Sequence, residues 1–416
     1  MRSNRFKSQP LKICMLTYRG NPNCGGQGVY IKHLSKALSE LGHEVDVLSG
    51  PPYPHLDPKV RLHKIPSLDL YQQPFQMPKL KSLMTPLNMY EFLNVSAGRF
   101  PEPYTFGIRA YKYLQKHKKN FDIVHDNQCL SYGIGKIAQK IMPTVATIHH
   151  PMTVDRREAI KSTTSQRKIF RIKRWYSFIR MQKEVARQLS HIVTVSECSK
   201  KDIAQDFSIK LSKFRVIPNG INREFFYPVQ NESRPENSII VTNSADTPLK
   251  GLRYLLQAVA MVRNQQSVQL TVIGEPRKNG IVEKLVEELK IGDIVHFTGR
   301  IENEEFADYY SKATIAVVPS LYEGFGLPAA EAMASGVPLI STSGGALPEV
   351  VGDAGILVPP ADADAIAREI IFLFNHPEKR KKMARAGIER VDAIFNWSKA
   401  AGDMVDVYHE AIDSYR

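Results

Sequence analysis

Two glutamates and a glycine-rich loop form the part of the chain that is best suited to chemistry. The loop reads Glu323-Gly324-Phe325-Gly326-Leu327-Pro328, and a second acid, Glu331, follows eight positions after the first. Such a loop lets backbone N–H groups approach an anion closely, and a helix N-terminus adds partial positive charge. Carboxylates accept hydrogen bonds from hydroxyls and do not attract phosphate. The pattern therefore predicts a ligand with an anionic middle and two hydroxylated ends, as in a nucleotide sugar.

The flanking residues predict the elements that position this loop. Residues 314–318 are a short apolar run of strand type. Residues 329–334 are good helix formers, with Pro328 suited to the first helical position and Gly336 to the stop. The loop is thus predicted to join a strand to a helix.

At these residues the chain resembles the retaining glycosyltransferases of family 4. The resemblance runs over most of the chain and implies the α/β GT-B fold, two Rossmann-like doubly wound parallel-sheet domains facing across a cleft. It also implies that Glu331 binds the donor ribose and that Glu323 contacts the transferring sugar as a catalytic residue. Gly324, Phe325, Gly326 and Leu327 would line the donor loop. Alternatively, Glu323 only lies in a turn and Glu331 only complements a helix dipole. The eight-position spacing of the two acids, the glycine-rich loop and the preceding strand occur together, which favours the functional interpretation.

Lys250 matches the family lysine that contacts the donor diphosphate. A compact ammonium there stabilises the charge that develops as the glycosidic bond breaks. Many relatives carry an arginine five residues earlier, where this chain has Ala245. Either Lys250 acts with backbone groups alone, or another cation such as Arg253 or Arg19 substitutes.

A second glycine loop follows the first predicted strand. Gly25, Gly26 and Gly28 lie within Gly-Gly-Gln-Gly, which resembles the family loop that faces the donor diphosphate. The same residues also resemble half of a dinucleotide fingerprint. The second predicted strand, however, ends in Leu48-Ser49-Gly50 without the acid that would hold an adenine ribose. This disfavours a nicotinamide enzyme.

Polar residues at other strand ends complete the predicted site, since open α/β sheets place ligands there. The segment 147–151 is similar to the family segment whose histidine contacts the donor sugar; alignment on its threonine favours His149 as catalytic, with His150 as the alternative. Two further sets are predicted from position alone: acceptor contacts His125, Asp126, Asn127 and His150, and a nucleobase frame of Gly274 and Arg300.

Two segments of the first half depart from the alternating pattern. Residues 70–106 are long and proline-rich, and a loop of that length is usually functional or disordered. Residues 156–187 hold eleven Lys and Arg against two acids, with aromatic and isoleucine side chains between them. This composition is typical of a basic amphipathic helix that lies on an anionic membrane surface. It fits equally a solvated face whose aromatic residues belong to the domain core.

The charge is distributed unevenly. Residues 1–217 hold 36 Lys and Arg against 15 Asp and Glu, a formal charge of +21, and the rest of the chain holds 20 against 27, or −7. The first half alone therefore calls for an anionic partner. An anionic membrane surface or a lipid-linked or phosphorylated acceptor would fit, and no nucleic acid is expected.

The remaining features of the sequence argue against several classes of protein. No apolar run approaches the ~20 residues that span a bilayer, and the chain start lacks an apolar signal core. Four cysteines, Cys14, Cys24, Cys129 and Cys198, show neither metal-site nor disulfide spacing. No Asp-x-Asp pair lies in a strand-turn context, so no metal or other cofactor is expected. We predict a cytoplasmic protein, with peripheral attachment to the inner membrane face if the basic segment binds lipid.

The chain of 416 residues is long enough for two domains. Strands alternating with helical stretches predict two parallel sheets. Their predicted strands are 11–16, 45–48, 122–125 and 144–148 in the first half and 239–242, 270–274, 295–297 and 314–318 in the second. The predicted domains are residues 1–217 and 218–396, and a helix over 397–416 is expected to cross back to the first domain.

Together these features predict transfer of a sugar from a nucleoside diphosphate sugar to an acceptor hydroxyl, with domain closure. Two rivals remain. A GT-B sugar phosphorylase or epimerase would use the same donor loop. A non-catalytic, basic membrane-binding protein on a GT-B scaffold would retain anion binding without turnover.

Overall fold

The structure is a computed structural model that describes residues 9–20, 26–72, 76–229, 235–242 and 247–415. The chain folds into two compact units. One contains Met1–Ile217 and Trp397–Arg416, and the other contains Pro218–Asn396.

In the described part of the first unit, seven parallel strands form one sheet in the order β3-β2-β1-β4-β5-β6-β7. The strands are β1 Lys12–Thr17, β2 Glu44–Ser49, β3 Arg61–Lys64, β4 Ile123–Asn127, β5 Thr144–Thr147, β6 His191–Thr194 and β7 Phe214–Val216. The central strands β4 and β5 are buried at every residue, as expected of a parallel sheet covered on both faces.

Helices connect these strands and cover the sheet. They are α1 Gly26–Glu40, α2 Leu80–Leu83, α3 Pro86–Ser96, α4 Glu102–His117, α5 Tyr132–Lys140, α6 Met152–Lys161, α7 Gln166–Trp175, α8 Ile179–Gln188 and α9 Glu197–Phe207. In α1, Ile31, Leu34 and Leu38 are buried against the sheet.

The described part of the second unit repeats the plan with six parallel strands in the order β10-β9-β8-β11-β12-β13. The strands are β8 Ser238–Thr242, β9 Gln269–Ile273, β10 Val295–Phe297, β11 Ile315–Val318, β12 Leu339–Thr342 and β13 Ile356–Val358. The helices are α10 Leu252–Arg263, α11 Ile281–Glu288, α12 Phe306–Ser311, α13 Leu327–Ala334, α14 Leu347–Val351, α15 Ala363–Asn375 and α16 Pro377–Ile394.

The last helix, α17 Trp397–Ser414, packs in the first unit against α1. Its Met404, Val407 and Tyr408 are buried in the same hydrophobic cluster as the α1 leucines. The C-terminal residues are therefore part of the core of the first unit.

Each sheet has one place where the strand order reverses. In the first unit this lies between β1 and β4, and in the second unit between β8 and β11. Open α/β sheets bind ligands outside the carboxyl ends of the strands at such a switch point. A ligand site is therefore expected at the loops that follow β1, β4, β8 and β11.

The two unusual segments differ from the sequence predictions. Within 70–106 the structure has α2, α3 and the start of α4 in place of a long loop, because Thr85 caps α3 by accepting from Asn88 N and Pro86 occupies its first turn. Residues 156–187 form the end of α6, then α7 and most of α8, and not one amphipathic helix. The basic amphipathic character is concentrated in α7, whereas α8 buries Ile179, Met181 and Val185.

Candidate functional site

The loop after β11 is held by the loop that precedes α10. Leu321 N donates to Leu249 O at 2.7 Å, and Gly251 adopts φ +66°. A Cβ atom at Gly251 would lie 1.9 Å from Pro319 O, so only glycine permits this approach. The two loops that carry Lys250 and Glu323 are thus packed backbone to backbone.

The loop after β12 supports Glu323 from the other side. Ala346 N donates to Glu323 O at 2.9 Å, and Gly345 has φ +65°. A Cβ atom at Gly345 would lie 2.3 Å from Glu323 O. The sequence predictions missed Gly344 and Gly345, although Ser343-Gly344-Gly345 contains the Ser-Gly and Gly-Gly pairs that mark turns.

Lys250 and Glu323 form an ion pair within this framework. Lys250 Nζ donates to Glu323 Oε1 at 2.8 Å, and Ser320 Oγ donates to the same oxygen at 2.7 Å. The side chains are 28% and 12% exposed, so both remain partly accessible. Ser320 is a site residue that the sequence predictions did not include.

Glu331 lies on α13, whose start is set by Gly326 at φ +101°. Burial raises the pKa of Glu331 to about 7; nearby Lys250 lowers it and Glu323 raises it further. Tyr310 also lies near enough to Glu331 for the carboxylate to raise the pKa of its hydroxyl. The structure therefore brings together Lys250, Glu323 and Glu331, as the sequence predicts.

The other residues predicted to bind the donor lie at the start of α13 and at the ends of β9 and β10. The Phe325 ring is buried and packs edge-to-face on Phe395 at 5.4 Å, so it anchors the loop. Gly324 and Leu327 flank it at the start of α13. At the ends of β9 and β10, Gly299 N donates to Gly274 O at 3.2 Å, and Arg300 is exposed beside them.

In the first unit, the predicted glycine loop leads into α1. Gly26 and Gly28 are the first and third residues of the helix, and Gly25 lies outside the described residues. Among the described residues, no atom lies within 4 Å of the position that a Cβ atom on Gly26 would take. The space beside Gly26 is therefore open, and packing against neighbouring backbone is not the reason that glycine occupies this position.

His149, directly beyond β5, has a defined hydrogen-bonding state. Asn127 Nδ2 donates to Gln27 O at 3.1 Å, so Asn127 Oδ1 is the acceptor for His149 Nε2 at 2.7 Å. Burial lowers the pKa of His149 to about 3, and His150 and His125 add to the shift. His149 is therefore a neutral imidazole with its proton on Nε2, and Nδ1 is an acceptor.

Three predicted acceptor residues are buried. His125, Asp126 and Asn127 expose none of their surface. His125 Nδ1 bonds Tyr408 of α17 at 2.6 Å and Nε2 bonds Thr147 Oγ1 at 2.7 Å, and burial lowers its pKa to about 3. Full burial of these side chains does not fit the predicted direct contact with an acceptor.

The network around His125 continues to His149. Thr147 Oγ1 bonds the Tyr30 hydroxyl at 2.9 Å, and the Tyr30 ring contacts the His149 ring edge-to-face at 4.7 Å. His150 is separate: its Nε2 bonds Asp155 Oδ2 at 2.8 Å, and it stays partly exposed.

The two cations suggested as substitutes at Ala245 lie in other contacts. Arg19, in the first unit, pairs with Glu102 at 3.5 Å. Arg253 is exposed on α10 with its guanidinium over the Tyr254 ring at 5.0 Å. Ala245 lies outside the described residues.

Two doubly wound parallel sheets, one of which carries a lysine–carboxylate cluster beside a glycine-rich loop, define an α/β enzyme of the GT-B class. The chain belongs to glycosyltransferase family 4 and is a glycosyltransferase. The family profile "Glycosyl transferases group 1" matches residues 224–390, and "Glycosyltransferase Family 4" matches residues 24–225.

Similar proteins agree with this assignment. The chain is 45% identical to an MMP alpha-(1->4)-mannosyltransferase of Mycolicibacterium hassiacum over 97% of this chain and 98% of that protein. It is 26% identical to a D-inositol 3-phosphate glycosyltransferase of Streptomyces bingchenggensis, covering 100% and 92%. Among solved structures it resembles sucrose-phosphate synthase from Thermosynechococcus elongatus, with a TM-score of 0.75, 26% identity and coverage of 97% and 100%.

The described residues contain neither a membrane-spanning helix nor a cluster of metal ligands. None of the helices there is long and apolar enough to cross a bilayer. In the same ranges, no group of three or more His, Cys, Asp or Glu side chains is placed to hold a metal ion.

Proposed function

We propose that this glycosyltransferase moves a mannosyl residue from a nucleoside diphosphate mannose to a saccharide hydroxyl, with retention of the anomeric configuration. The cluster of Lys250, Glu323 and Glu331 carries the proposal, because it offers a cation and two carboxylates beside a helix N-terminus. The relative named as an alpha-(1->4)-mannosyltransferase supports the choice of mannose and of an α-(1→4) linkage.

The donor occupies the cluster through complementary groups. Glu331 accepts hydrogen bonds from the ribose hydroxyls, and Lys250 neutralises the diphosphate together with the backbone N–H groups at the start of α13. Gly274 and Arg300 flank the base. Binding the diphosphate requires Lys250 to share its ammonium between Glu323 and the phosphate oxygens.

The chemical step exchanges one oxygen for another at the anomeric carbon. The bond from that carbon to the diphosphate breaks, a bond to the acceptor hydroxyl oxygen forms on the same face, and the hydroxyl proton passes to the departing diphosphate. Lys250 stabilises the negative charge that develops on the leaving group. Glu323, which already accepts from Lys250 and Ser320, orients the sugar as a hydrogen-bond acceptor.

In the first unit, we assign His149 the role of accepting a hydrogen bond from a sugar hydroxyl through Nδ1. This assignment follows from its neutral state, since Nε2 donates to Asn127. His150, paired with Asp155, is the secondary candidate.

The test combines donor binding with product analysis. A thermal-shift panel of UDP, GDP, ADP and their mannose and glucose conjugates identifies the base, because a ligand at a hundred times its dissociation constant adds about 2.7 kcal/mol of stability. NMR of the product from the donor that binds, with an α-mannoside as acceptor, reports the linkage. An α-(1→4) mannoside supports the proposal, and a β product would overturn retention.

The rival functions give different results in the same assays. A phosphorylase requires inorganic phosphate for turnover, and an epimerase converts the donor without an acceptor. A non-catalytic protein binds anions but shows no turnover, and Glu323→Ala leaves that binding unchanged. Loss of transfer in Glu323→Ala with retained nucleotide binding favours the transferase.

We also propose that α7 places the enzyme on an anionic membrane surface. Its cations Arg167, Lys168, Arg171, Lys173 and Arg174 form no ion pair with any described carboxylate, and Phe170 is 63% exposed beside them. Elsewhere in the first unit, Met77, Leu80 and Met84 are 72–85% exposed. Exposed apolar side chains amid unpaired cations fit the interface of an anionic bilayer.

Vesicle flotation tests this partner. The double variant Arg167→Glu/Arg171→Glu should lose the binding to anionic vesicles that the parent enzyme shows. Vesicles of neutral lipid should bind neither the parent enzyme nor this variant. Lys379→Glu/Lys382→Glu on α16 makes the same charge change at another exposed basic helix and should leave flotation unchanged. Equal flotation of the two double variants would contradict the assignment to α7.

A further inference from the structure

Five aromatic rings gather above the carboxyl end of β1 in the first unit. The Phe100 ring is the centre: it stacks on Trp175 at 5.1 Å and contacts Tyr71 at 5.4 Å, Phe178 at 5.4 Å and Tyr18 at 6.1 Å. Trp175 is 37% exposed, and its ring also meets Tyr71 at 5.4 Å. We call Tyr18, Tyr71, Phe100, Trp175 and Phe178 the aromatic cluster. None of its members belongs to the site described above.

Charged groups with unfilled hydrogen-bonding capacity border this cluster. Arg19 Nε lies 3.5 Å from Glu102 Oε2, and its guanidinium lies 5.7 Å from the centre of the Tyr71 ring. Glu102 is 5% exposed, and its Oε2 has no hydrogen-bond partner among the described residues. Asp69 Oδ1 is also buried and has no hydrogen-bond partner among the described residues. Buried polar atoms are normally hydrogen-bonded, and the exceptions call for an explanation.

We propose that the aromatic cluster with Arg19 and Glu102 is the subsite for a neutral hexose of the acceptor. An apolar sugar face packs on the exposed Trp175 ring, and sugar hydroxyls bond Arg19, which is 31% exposed, and reach towards Glu102. The proposal rests on the function proposed above, because it names where the acceptor of that reaction binds.

The charges favour an uncharged sugar over a phosphorylated one. Glu91, Glu102 and Asp69 lie close enough together that Glu91 and Asp69 both raise the pKa of the Glu102 carboxyl, which burial brings to about 8. Of the two arginines, Arg109 is held by Glu91 at 2.7 Å, which leaves Arg19 as the accessible cation. Glu102 therefore holds its proton below about pH 8 and can both donate to and accept from a sugar hydroxyl, whereas the unfilled Asp69 Oδ1 calls for a hydrogen-bond donor. Sugar hydroxyls donate, whereas ionised phosphate oxygens only accept.

The position supports the proposal independently. Tyr18 and Arg19 follow β1 directly, at the switch point of the first sheet, where open α/β folds bind ligands. The Gln27 side chain lies close enough to the Tyr18 hydroxyl to lower its pKa, and the Gln27 backbone oxygen accepts from Asn127, the partner of His149. The aromatic cluster is therefore linked through these contacts to the histidine proposed to contact the sugar.

The test compares acceptor use in three full-length variants. Trp175→Ala should raise the acceptor KM for α-(1→4)-mannobiose about tenfold or more, while Trp175→Phe, which keeps an aromatic face, stays within about threefold of the parent. Phe372→Ala, in the second unit, removes a ring of similar exposure (39%) and should leave the acceptor KM unchanged. The KM for the donor should not move in any of them. An acceptor KM that is unchanged in Trp175→Ala overturns the subsite.

Two further measurements separate this proposal from the proposed function. Saturation-transfer NMR with methyl α-mannoside and no donor reads acceptor binding alone: the signal should persist in Glu331→Ala and vanish in Trp175→Ala. A signal that persists in both contradicts the subsite even if transfer is lost for another reason. Mannose 6-phosphate should be a weaker acceptor than methyl α-mannoside, and the reverse order would overturn the neutral-sugar assignment.

Discussion

Lys250 Nζ and Glu323 Oε1 lie 2.8 Å apart, although the two residues are 73 positions apart in the chain. The ammonium proposed for the leaving diphosphate is therefore oriented by the carboxylate proposed for the sugar. Ser320 donates to the same oxygen and fixes the carboxylate in turn. Preorganised groups of this kind stabilise charge that develops in a transition state without a cost of reorganisation.

Removing either partner of this ion pair should reduce turnover more than binding. We expect Lys250→Ala and Glu323→Ala each to lower kcat by about 10²–10³, the range measured when one stabilising donor is removed. Because each change disrupts the same pair, the double variant should lose less than the product of the single losses. Steady-state kinetics check this, with the exposed Lys284→Ala on α11 as control. Additive losses would show that the two side chains act independently.

The loop that supports Glu323 should tolerate no side chain at Gly345. A Cβ atom there would lie 2.3 Å from Glu323 O, in a backbone conformation with φ +65°. We expect Gly345→Ala to lower the free energy of unfolding by about 1–3 kcal/mol and to lower kcat because Glu323 is displaced. Urea unfolding and steady-state kinetics measure the two effects.

Gly402→Ala is the matched control for that change. Gly402 lies within α17, where an added Cβ meets no atom within 4 Å. Alanine in a helix interior is favoured over glycine by about 0.5–1 kcal/mol, so this variant should be slightly more stable with unchanged kcat. Equal behaviour of the two variants would contradict the steric argument.

The parts of the fold that could be predicted were those with local signals. The predicted strand 295–297 has the bounds of β10, and the predicted helix over 329–334 lies within α13, with Gly336 at φ +65° after its end. The strands β3, β6, β12 and β13 were not predicted; β3, for example, reads Arg-Leu-His-Lys and contains no apolar run.

The site could be predicted in its residue types but not in its contacts. Lys250, Glu323 and Glu331 were identified because their motifs are local in sequence. Whether a polar residue at a strand end is exposed depends on distant partners: His125 is buried by Tyr408, which lies 283 positions away. No feature near His125 in the sequence carries that information, so the direct acceptor contact predicted for it does not fit the structure.

Tyr408 should be a stabilising residue of the first unit. Its hydroxyl bonds His125 Nδ1, and Tyr408→Phe leaves that buried nitrogen without its partner. We expect a loss of about 1–3 kcal/mol in the free energy of unfolding, whereas Tyr415→Phe at the exposed chain end should change it by no more than about 0.5 kcal/mol. Denaturant unfolding distinguishes them. Because the network continues through Thr147 and Tyr30 to the His149 ring, kcat should fall in Tyr408→Phe and not in Tyr415→Phe.

Donor affinity should depend on pH through Glu331. Burial raises the pKa of this carboxyl from its ordinary value near 4.5 to about 7, so in the free enzyme it holds a proton below about pH 7. Only the ionised carboxylate accepts from both ribose hydroxyls. The affinity for the donor should therefore be full above pH 7 and weaken as the pH falls through 7, by up to about tenfold per pH unit.

Calorimetry with the intact nucleotide sugar between pH 6 and pH 8.5 measures this dependence, since its diphosphate has no ionisation of its own in that range. Glu331→Gln should bind less tightly and show no such slope. His149 does not contribute there, because its pKa is lowered to about 3. A slope that survives in Glu331→Gln would assign the proton to another group and remove the argument that Glu331 holds the ribose as a carboxylate.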